Sequence, residues 1–133
     1  MAKRINMHNL KATGLLTFIS SGADFEGSIR FYSEIGFSLD FKGTEVAGMS
    51  IDGYRFLLQR YHSEWMHGHM MMVLEVENVD DWWQKLSSLG LETRYPGVFI
   101  KPPKNFPWGK REIHMGDPNG ILWHIASDIP AST

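Results

Sequence analysis

Histidines, carboxylates and a few large aromatic side chains carry whatever chemistry this 133-residue chain performs, because it contains no cysteine. Thiol catalysis, thiolate metal sites and disulfides are thereby excluded. Among its 6 histidines, His124 stands apart because it interrupts the apolar run Ile121-Leu122-Trp123-His124-Ile125-Ala126. An imidazole in such a run is either a core ring bonded to a backbone carbonyl or a ring facing a ligand. His62, His67 and His69 fall instead in a polar and aromatic connector, where exposed histidines are ordinary. Trp108-Gly109 sets a flat aromatic beside a flexible residue, an arrangement suited to stacking on a planar ligand and equally to a role in folding. Met70-Met71-Met72 reads as strand core, with side chains adaptable enough to serve as a ligand wall. Phosphate-binding loops, dinucleotide fingerprints, nucleophile elbows and HExxH patterns are all missing.

The elements that must position these groups follow from punctuation and periodicity. Asp117-Pro118-Asn119-Gly120 has the composition of a sharp turn: Pro118 presets φ, Asp117 caps, and Gly120 tolerates the exit conformation. The run after it is too short for a helix and reads as a buried closing strand. Earlier, Leu15 to Ile19 reads as a first strand, and Asp24 caps a helix with Ile29, Tyr32 and Ile35 at helical spacing and Gly36 just past its end. Phe37 to Phe41, Thr44 to Ile51 and Tyr54 to Tyr61 suit strands, with Asp52-Gly53 as a hairpin signal. The same order then recurs. Met70 to Val76 reads as a strand, and Asn78 or Asp80 caps a helix carrying Trp82, Trp83, Leu86 and Leu89 and stopping at Gly90. Trp82 and Trp83 are neighbours on one helix, so one is expected in the core and the other exposed or at an interface. Ile35-Gly36-Phe37 parallels Leu89-Gly90-Leu91, which points to an internal duplication of a unit of roughly 50–60 residues. Tyr95 to Lys110, rich in Pro, Gly and aromatics, reads as a long loop.

Composition bounds the rest. With 13 Lys+Arg against 15 Asp+Glu, nothing favours nucleic acid or an anionic membrane surface. Hydrophobic residues make up 43% of the chain, enough for one compact domain spanning 1–133 that needs no metal or disulfide to hold it. The first residues lack a continuous apolar stretch, so a cytoplasmic location is expected.

Two successive β-α-β-β-β units, Ser28-Ile29-Arg30-Phe31-Tyr32 with Gly36-Phe37 in the first, and Asp117-Pro118-Asn119-Gly120 with His124 in the second, together resemble the vicinal oxygen chelate superfamily. That family includes glyoxalases, extradiol dioxygenases and bleomycin-resistance-type binding proteins. The resemblance implies an α+β fold of two βαβββ units, about 13–61 and 69–127, whose curled sheets form a ligand cup with helices outside. It also implies a homodimer. Enzymes of the family bind a divalent metal through the first and last strand of each unit. Those positions fall here at or beside Thr17, at Gln59 or Leu57, at Met71 or His69, and at His124, an incomplete metal set.

The resemblance thus implies a small-molecule-binding protein rather than a standard metalloenzyme. Gln59, His69, Met71, Trp108 and His124 are the expected cup lining, and the ligand is expected to be small and partly aromatic. Gln59 and His124 would occupy corresponding places in the two units, an amide and an imidazole able to orient a polar ligand without a cofactor. The alternative is a metal-dependent lyase, isomerase or dioxygenase using His69, Gln59 and His124 as an unusual divalent-metal set. Glu75, a carboxylate able to pair with Arg55 or act as a base, is expected rather in a rim salt bridge.

Overall fold

The computed structural model describes residues 4–131. Eight strands and three helices follow the order β1 (Phe18–Ser20), α1 (Phe25–Glu34), β2 (Ser38–Lys42), β3 (Val46–Ile51), β4 (Tyr54–Gln59), β5 (Met71–Glu75), α2 (Val79–Ser87), α3 (Leu91–Arg94), β6 (Phe99–Asn105), β7 (Lys110–Gly116) and β8 (Leu122–Asp128). They make two four-stranded mixed sheets with one strand order, β1-β4-β3-β2 and β5-β8-β7-β6, and neither sheet closes. In each, the first strand runs parallel to the last and the other pairs are antiparallel. Among the described residues no helix is long and apolar enough to cross a membrane.

The helix ends are set locally. Asp24 accepts from the Gly27 amide at 2.9 Å, and Asn78 accepts from the amides of Asp80 and Asp81 at 3.0 and 3.2 Å, so each satisfies amides that a helix start leaves unpaired. Gly36, at φ 118°, takes the chain out of α1 in a conformation that side-chain-bearing residues seldom adopt.

Three expectations are corrected. The first strand is Phe18–Ser20 rather than Leu15 to Ile19; Leu15 is 95% exposed, although the Thr17 carbonyl already accepts from the Leu57 amide. Leu91 opens the short helix α3, so the parallel with Ile35-Gly36-Phe37 stops at Gly90, where the left-handed backbone turns the chain and Thr93 Oγ1 and N both return to the Gly90 carbonyl. Most consequentially, Tyr95 to Lys110 is not a loop: it contains β6 and the turn into β7. Pro102 and Pro103 are tolerated because β6 is an edge strand and the register shifts between Lys101 and Lys104, where amide donors are not needed for the ladder.

Strand alternation gives each sheet a sealed and an open face. On the sealed side, Ile19, Ala47, Met49, Phe56 and Leu58 of the first sheet join Ile113, Met115, Trp123 and Ile125 of the second in a single core cluster. Trp123 lies 5.5–5.7 Å, centroid to centroid, from Tyr32, Phe37 and Phe56, so aromatic rings cross the boundary between the two sheets. Such tilted and edge contacts add about 0.5–1.5 kcal/mol per pair beyond burial itself. Trp82 and Trp83 are both half-buried rather than divided between core and solvent, because α2 packs across β6, β7 and β8 and Trp82 also reaches a groove beside Tyr54 and Leu74.

The Asp117–Gly120 turn is a joint between the halves. Asp117 Oδ1 accepts from the amides of Asn119 and Ile121 at 2.8 and 2.9 Å, while Oδ2 accepts from the Tyr32 hydroxyl at 2.5 Å. That hydroxyl accepts in turn from Trp123 Nε1 at 2.9 Å, and Asn119 Nδ2 donates to Ser20. Burial pushes the Asp117 carboxyl up to about 6 even though these bonds pull the other way. Tyr32 is likewise raised well above its ordinary range, first by burial and then by Asp117.

Candidate functional site

The open face of the second sheet gathers a cluster of titratable and aromatic side chains. On β7 the residues alternate: Ile113 and Met115 are fully buried in the core, which turns Glu112 and His114 to the other side. Register pairs His114 with His124 of β8, and His124 with Val73 of β5. Cα partners share a face, so Glu112, His114 and His124 stand beside the exposed Met71 and Val73.

Glu112 is the centre of this group. Its Oε1 lies 2.9 Å from His114 Nε2 and 2.9 Å from His124 Nδ1, and its Oε2 accepts from Trp108 Nε1 at 2.9 Å. The carboxylate is buried although it is on the open face, because these three rings cover it. Burial alone would raise its pKa, but the bonds from His124, Trp108 and His114 outweigh that and hold the carboxyl below the usual range. Aromatic packing fixes the rings: Phe106 stacks on Trp108 at 4.6 Å and on His114 at 4.8 Å, and the two imidazoles meet edge to face at 4.5 Å. His124 Nε2 points the other way, to Met71 Sδ at 3.2 Å.

Three of the residues expected at a site therefore meet here: His124 and Met71 in direct contact, and Trp108 through Glu112. Trp108 belongs to the β6–β7 turn and is 60% exposed. Gln59 and His69 lie elsewhere. His69 ends the connector and stacks on Trp65 at 5.7 Å. Gln59 sits in the first sheet, paired with Ser20 and Val46, and its side chain forms no hydrogen bond among the described residues.

Gln59 nonetheless holds the place in its sheet that His124 holds in the other. Gly48 pairs with Phe41 on one side and Leu57 on the other; Gly116 pairs with Phe99 and Leu122 in the same way. In both sheets the Phe ring lies across the Gly, where an added Cβ would overlap it. With Leu57 matched to Leu122, Gln59 matches His124 and Phe18 matches Met71. Glu75 pairs with Lys110 at 3.7 Å on the rim, an exposed carboxylate against a half-buried lysine.

This equivalence tests the metal set that the superfamily resemblance implies. The corresponding positions on the open faces offer Phe18, Gln59, Met71 and His124, a phenyl ring, an amide, a thioether and one imidazole. That donor set does not fit a divalent metal of the usual kind. Glu112, His114 and His124 do form a group whose donor atoms all lie within 4.8 Å of one another. Glu112 and His114 were not among the expected residues, because they follow a stretch read as loop. The alternation of Arg111-Glu112-Ile113-His114-Met115, polar against apolar, was the available signal.

A separate cleft of about 360 Å³ lies at the start of α1, lined among others by Asp24, Ser28, His67 and Asn119. Asp24 is already committed to capping α1 and Asn119 to Ser20. The cleft belongs to the joint between the halves.

No curated protein matches the chain. Solved structures do. A bleomycin resistance determinant encoded on the transposon Tn5 superposes with a TM-score of 0.76 at 17% identity, covering 90% of this chain and 100% of that one. A bleomycin-binding protein from Streptomyces verticillus, complexed with copper(II)-bleomycin, gives 0.73 at 20% identity over 90% and 99%. The fosfomycin resistance protein FosX from Listeria monocytogenes, complexed with Mn(II) and sulfate, gives 0.68 at 14% identity over 90% and 93%. At these identities the likeness is one of fold. The profile of one family, described as the Glyoxalase/Bleomycin resistance protein/Dioxygenase superfamily, matches residues 19–125. With the paired sheets and shared strand order, that match over most of the chain establishes that this protein belongs to the glyoxalase/bleomycin resistance protein/dioxygenase superfamily.

Proposed function

We propose that this protein is a cytoplasmic, homodimeric binding protein that holds a small, partly aromatic molecule in a cup formed on its open sheet faces. The observation that carries this reading is the composition of the second sheet's open face. Met71 and Val73 are 60% and 63% exposed and Trp108 stands at the edge, beside the anchored imidazoles of His114 and His124. Apolar walls around a few fixed polar groups are what a small-molecule site needs. Gln59 is the matching amide on the first sheet, and His69, on the connector against Trp65, is assigned to the lining only as part of this proposal. Phe18 and Phe41 leave the open face of the first sheet apolar as well, at 49% and 53% exposure, a surface that a second copy of the chain would cover.

Relatives of this fold that bind bleomycin make it a reasonable first probe. Isothermal titration of the full chain with bleomycin and a panel of planar heteroaromatic amides should give saturable binding to at least one, weakened at least tenfold in Trp108→Ala while denaturant melts show an intact fold. Equal affinity in wild type and Trp108→Ala, or no binding across the panel, would overturn the proposal. Light scattering tests the dimer directly. A second reading, a metal-dependent lyase, isomerase or dioxygenase, draws on the Glu112, His114 and His124 group, which shares only His124 with the expected set of His69, Gln59 and His124.

A further inference from the structure

We infer that Glu112, His114 and His124 form a binding site for a single first-row transition-metal dication such as Zn²⁺, Co²⁺ or Ni²⁺, built on β7 and β8 and displaced from the ligand positions of the superfamily. Only His124 is shared with those positions. Two donors bound to such an ion at about 2.0–2.1 Å are about 2.9 Å apart when they subtend a right angle and about 3.4 Å apart at the tetrahedral angle. Glu112 Oε1 stands 2.9 Å from each imidazole nitrogen and all three donor atoms lie within 4.8 Å of one another, so rotation of the side chains can bring them onto one ion.

The contacts of His124 call for a positive charge. Its Nε2 faces a thioether sulfur, which can only accept, and its Nδ1 faces a carboxylate oxygen, which can only accept. A neutral imidazole has one N–H, so one of its nitrogens would point a lone pair at a lone pair. A proton on each nitrogen resolves this. So does a metal at Nδ1 with the N–H at Nε2 directed to Met71. His114 presents Nε2 to the same oxygen, so a second imidazole nitrogen is within reach of an ion held there.

The surroundings are those of a prepared ligand set. Trp108 Nε1 holds the outer carboxylate oxygen, the kind of outer bond that orients a metal ligand, and Phe106 stacks flat on the His114 ring. Lys101, opposite His114 in the register, turns its ammonium over the Phe99 ring, 5.8 Å from the centroid. Two nitrogens and one oxygen favour a borderline transition ion over Ca²⁺ or Mg²⁺, which take oxygen ligands. Three protein ligands leave at least one position open, on the face that exposes Met71 and Val73.

The site stands whether or not an organic ligand binds. The test uses chelator-stripped full-length protein, titrated with Co²⁺ by visible absorption and with Zn²⁺ by calorimetry. One ion per chain should bind with a micromolar or lower dissociation constant. Glu112→Gln and His114→Gln should each weaken binding at least tenfold, and Trp108→Phe should weaken it by about 10–100-fold through the lost carboxylate anchor. His69→Ala and Gln59→Ala should change it less than twofold. His114 is half-exposed, so His114→Gln decides the matter even if the buried Glu112→Gln does not fold. No saturable binding, binding unchanged in His114→Gln, or binding abolished by His69→Ala would each overturn the inference.

Discussion

The Tyr32 hydroxyl donates to Asp117 at 2.5 Å, and this one bond joins the helix of the first unit to the turn that launches the last strand of the second. Because the same oxygen receives Trp123 Nε1, the hydroxyl is both donor and acceptor in a place without solvent. Tyr32→Phe keeps the ring and its contacts with Phe37, Phe56 and Trp123 but leaves an indole N–H and a carboxylate oxygen short of a partner. Each such orphan costs about 1–3 kcal/mol. Urea melts should therefore show a loss of about 2–4 kcal/mol for Tyr32→Phe, against less than about 0.5 kcal/mol for Tyr61→Phe, whose exposed hydroxyl touches only Met66 Sδ at 3.7 Å. Equal, small losses in both would mean the buried network contributes little.

Asp117 gives the fold a pH signature. Its carboxyl titrates near 6 in the folded protein and near 3.8 as an ordinary carboxyl, so the folded state holds the proton more tightly. Stability from this group is complete below about pH 4 and is lost as pH rises through 6, a total of about 2–3 kcal/mol. Glu34, Glu112 and Asp128 are shifted down and act in the opposite sense, so the wild-type curve alone is a mixture. The difference between wild type and Asp117→Asn isolates the effect: the variant should gain on wild type by that amount between pH 4 and pH 7 in urea melts. A difference that does not vary with pH would place the ionisation of Asp117 elsewhere.

The matched glycines make a prediction about both sheets at once. Phe41 lies across Gly48 and Phe99 across Gly116, so a methyl group at either glycine must displace a ring. Gly48→Ala and Gly116→Ala should each cost about 1–3 kcal/mol. Adding Phe41→Ala or Phe99→Ala, which removes a ring 53% or 39% exposed, should recover much of the loss. Coupling of at least about 0.5 kcal/mol in each double-mutant cycle is the expected result, and strictly additive losses would show that the rings move aside freely.

How far the sequence disclosed this architecture depended on whether a signal was local. Asp24, Asn78 and Gly36 act on their own neighbours: the first two cap the starts of α1 and α2, and the third turns the chain out of α1. Asp52-Gly53 and Asp117 to Gly120 are turn signals of the same local kind, and each is followed directly by a closing strand, β4 and β8. The strand β6 was hidden because Pro102 and Pro103 are weak strand formers, and only its place at a sheet edge, with a register shift under the prolines, makes them acceptable. Losing β6 also loosened the pairing of β7, so Glu112 and His114 were not brought into register with His124. Trp123 and Tyr32, 91 residues apart, carry no mutual signal in the chain. Their meeting is a property of how the two sheets share a core.

The last prediction concerns Trp108, whose indole is at once an exposed ring and the third donor to Glu112. The ring is 60% exposed and its stacking partner, Phe106, lies outside the core cluster, so most of the burial that a core tryptophan would contribute is missing. What the folded state gains from Trp108 is chiefly the N–H bond to a buried carboxylate, worth about 1.5–3 kcal/mol for a charged acceptor. Trp108→Phe removes the N–H and keeps a ring, whereas Trp108→Ala removes both. If the bond dominates, the two variants should be destabilised by similar amounts, about 1–3 kcal/mol, in urea melts at pH 7. Trp123→Ala, taken from the core, should lose about 3–5 kcal/mol by the usual cost of a buried aromatic. Trp108→Ala falling with Trp123→Ala while Trp108→Phe stays near wild type would show that the ring packs as a core residue, and would remove Trp108 from the proposed ligand wall.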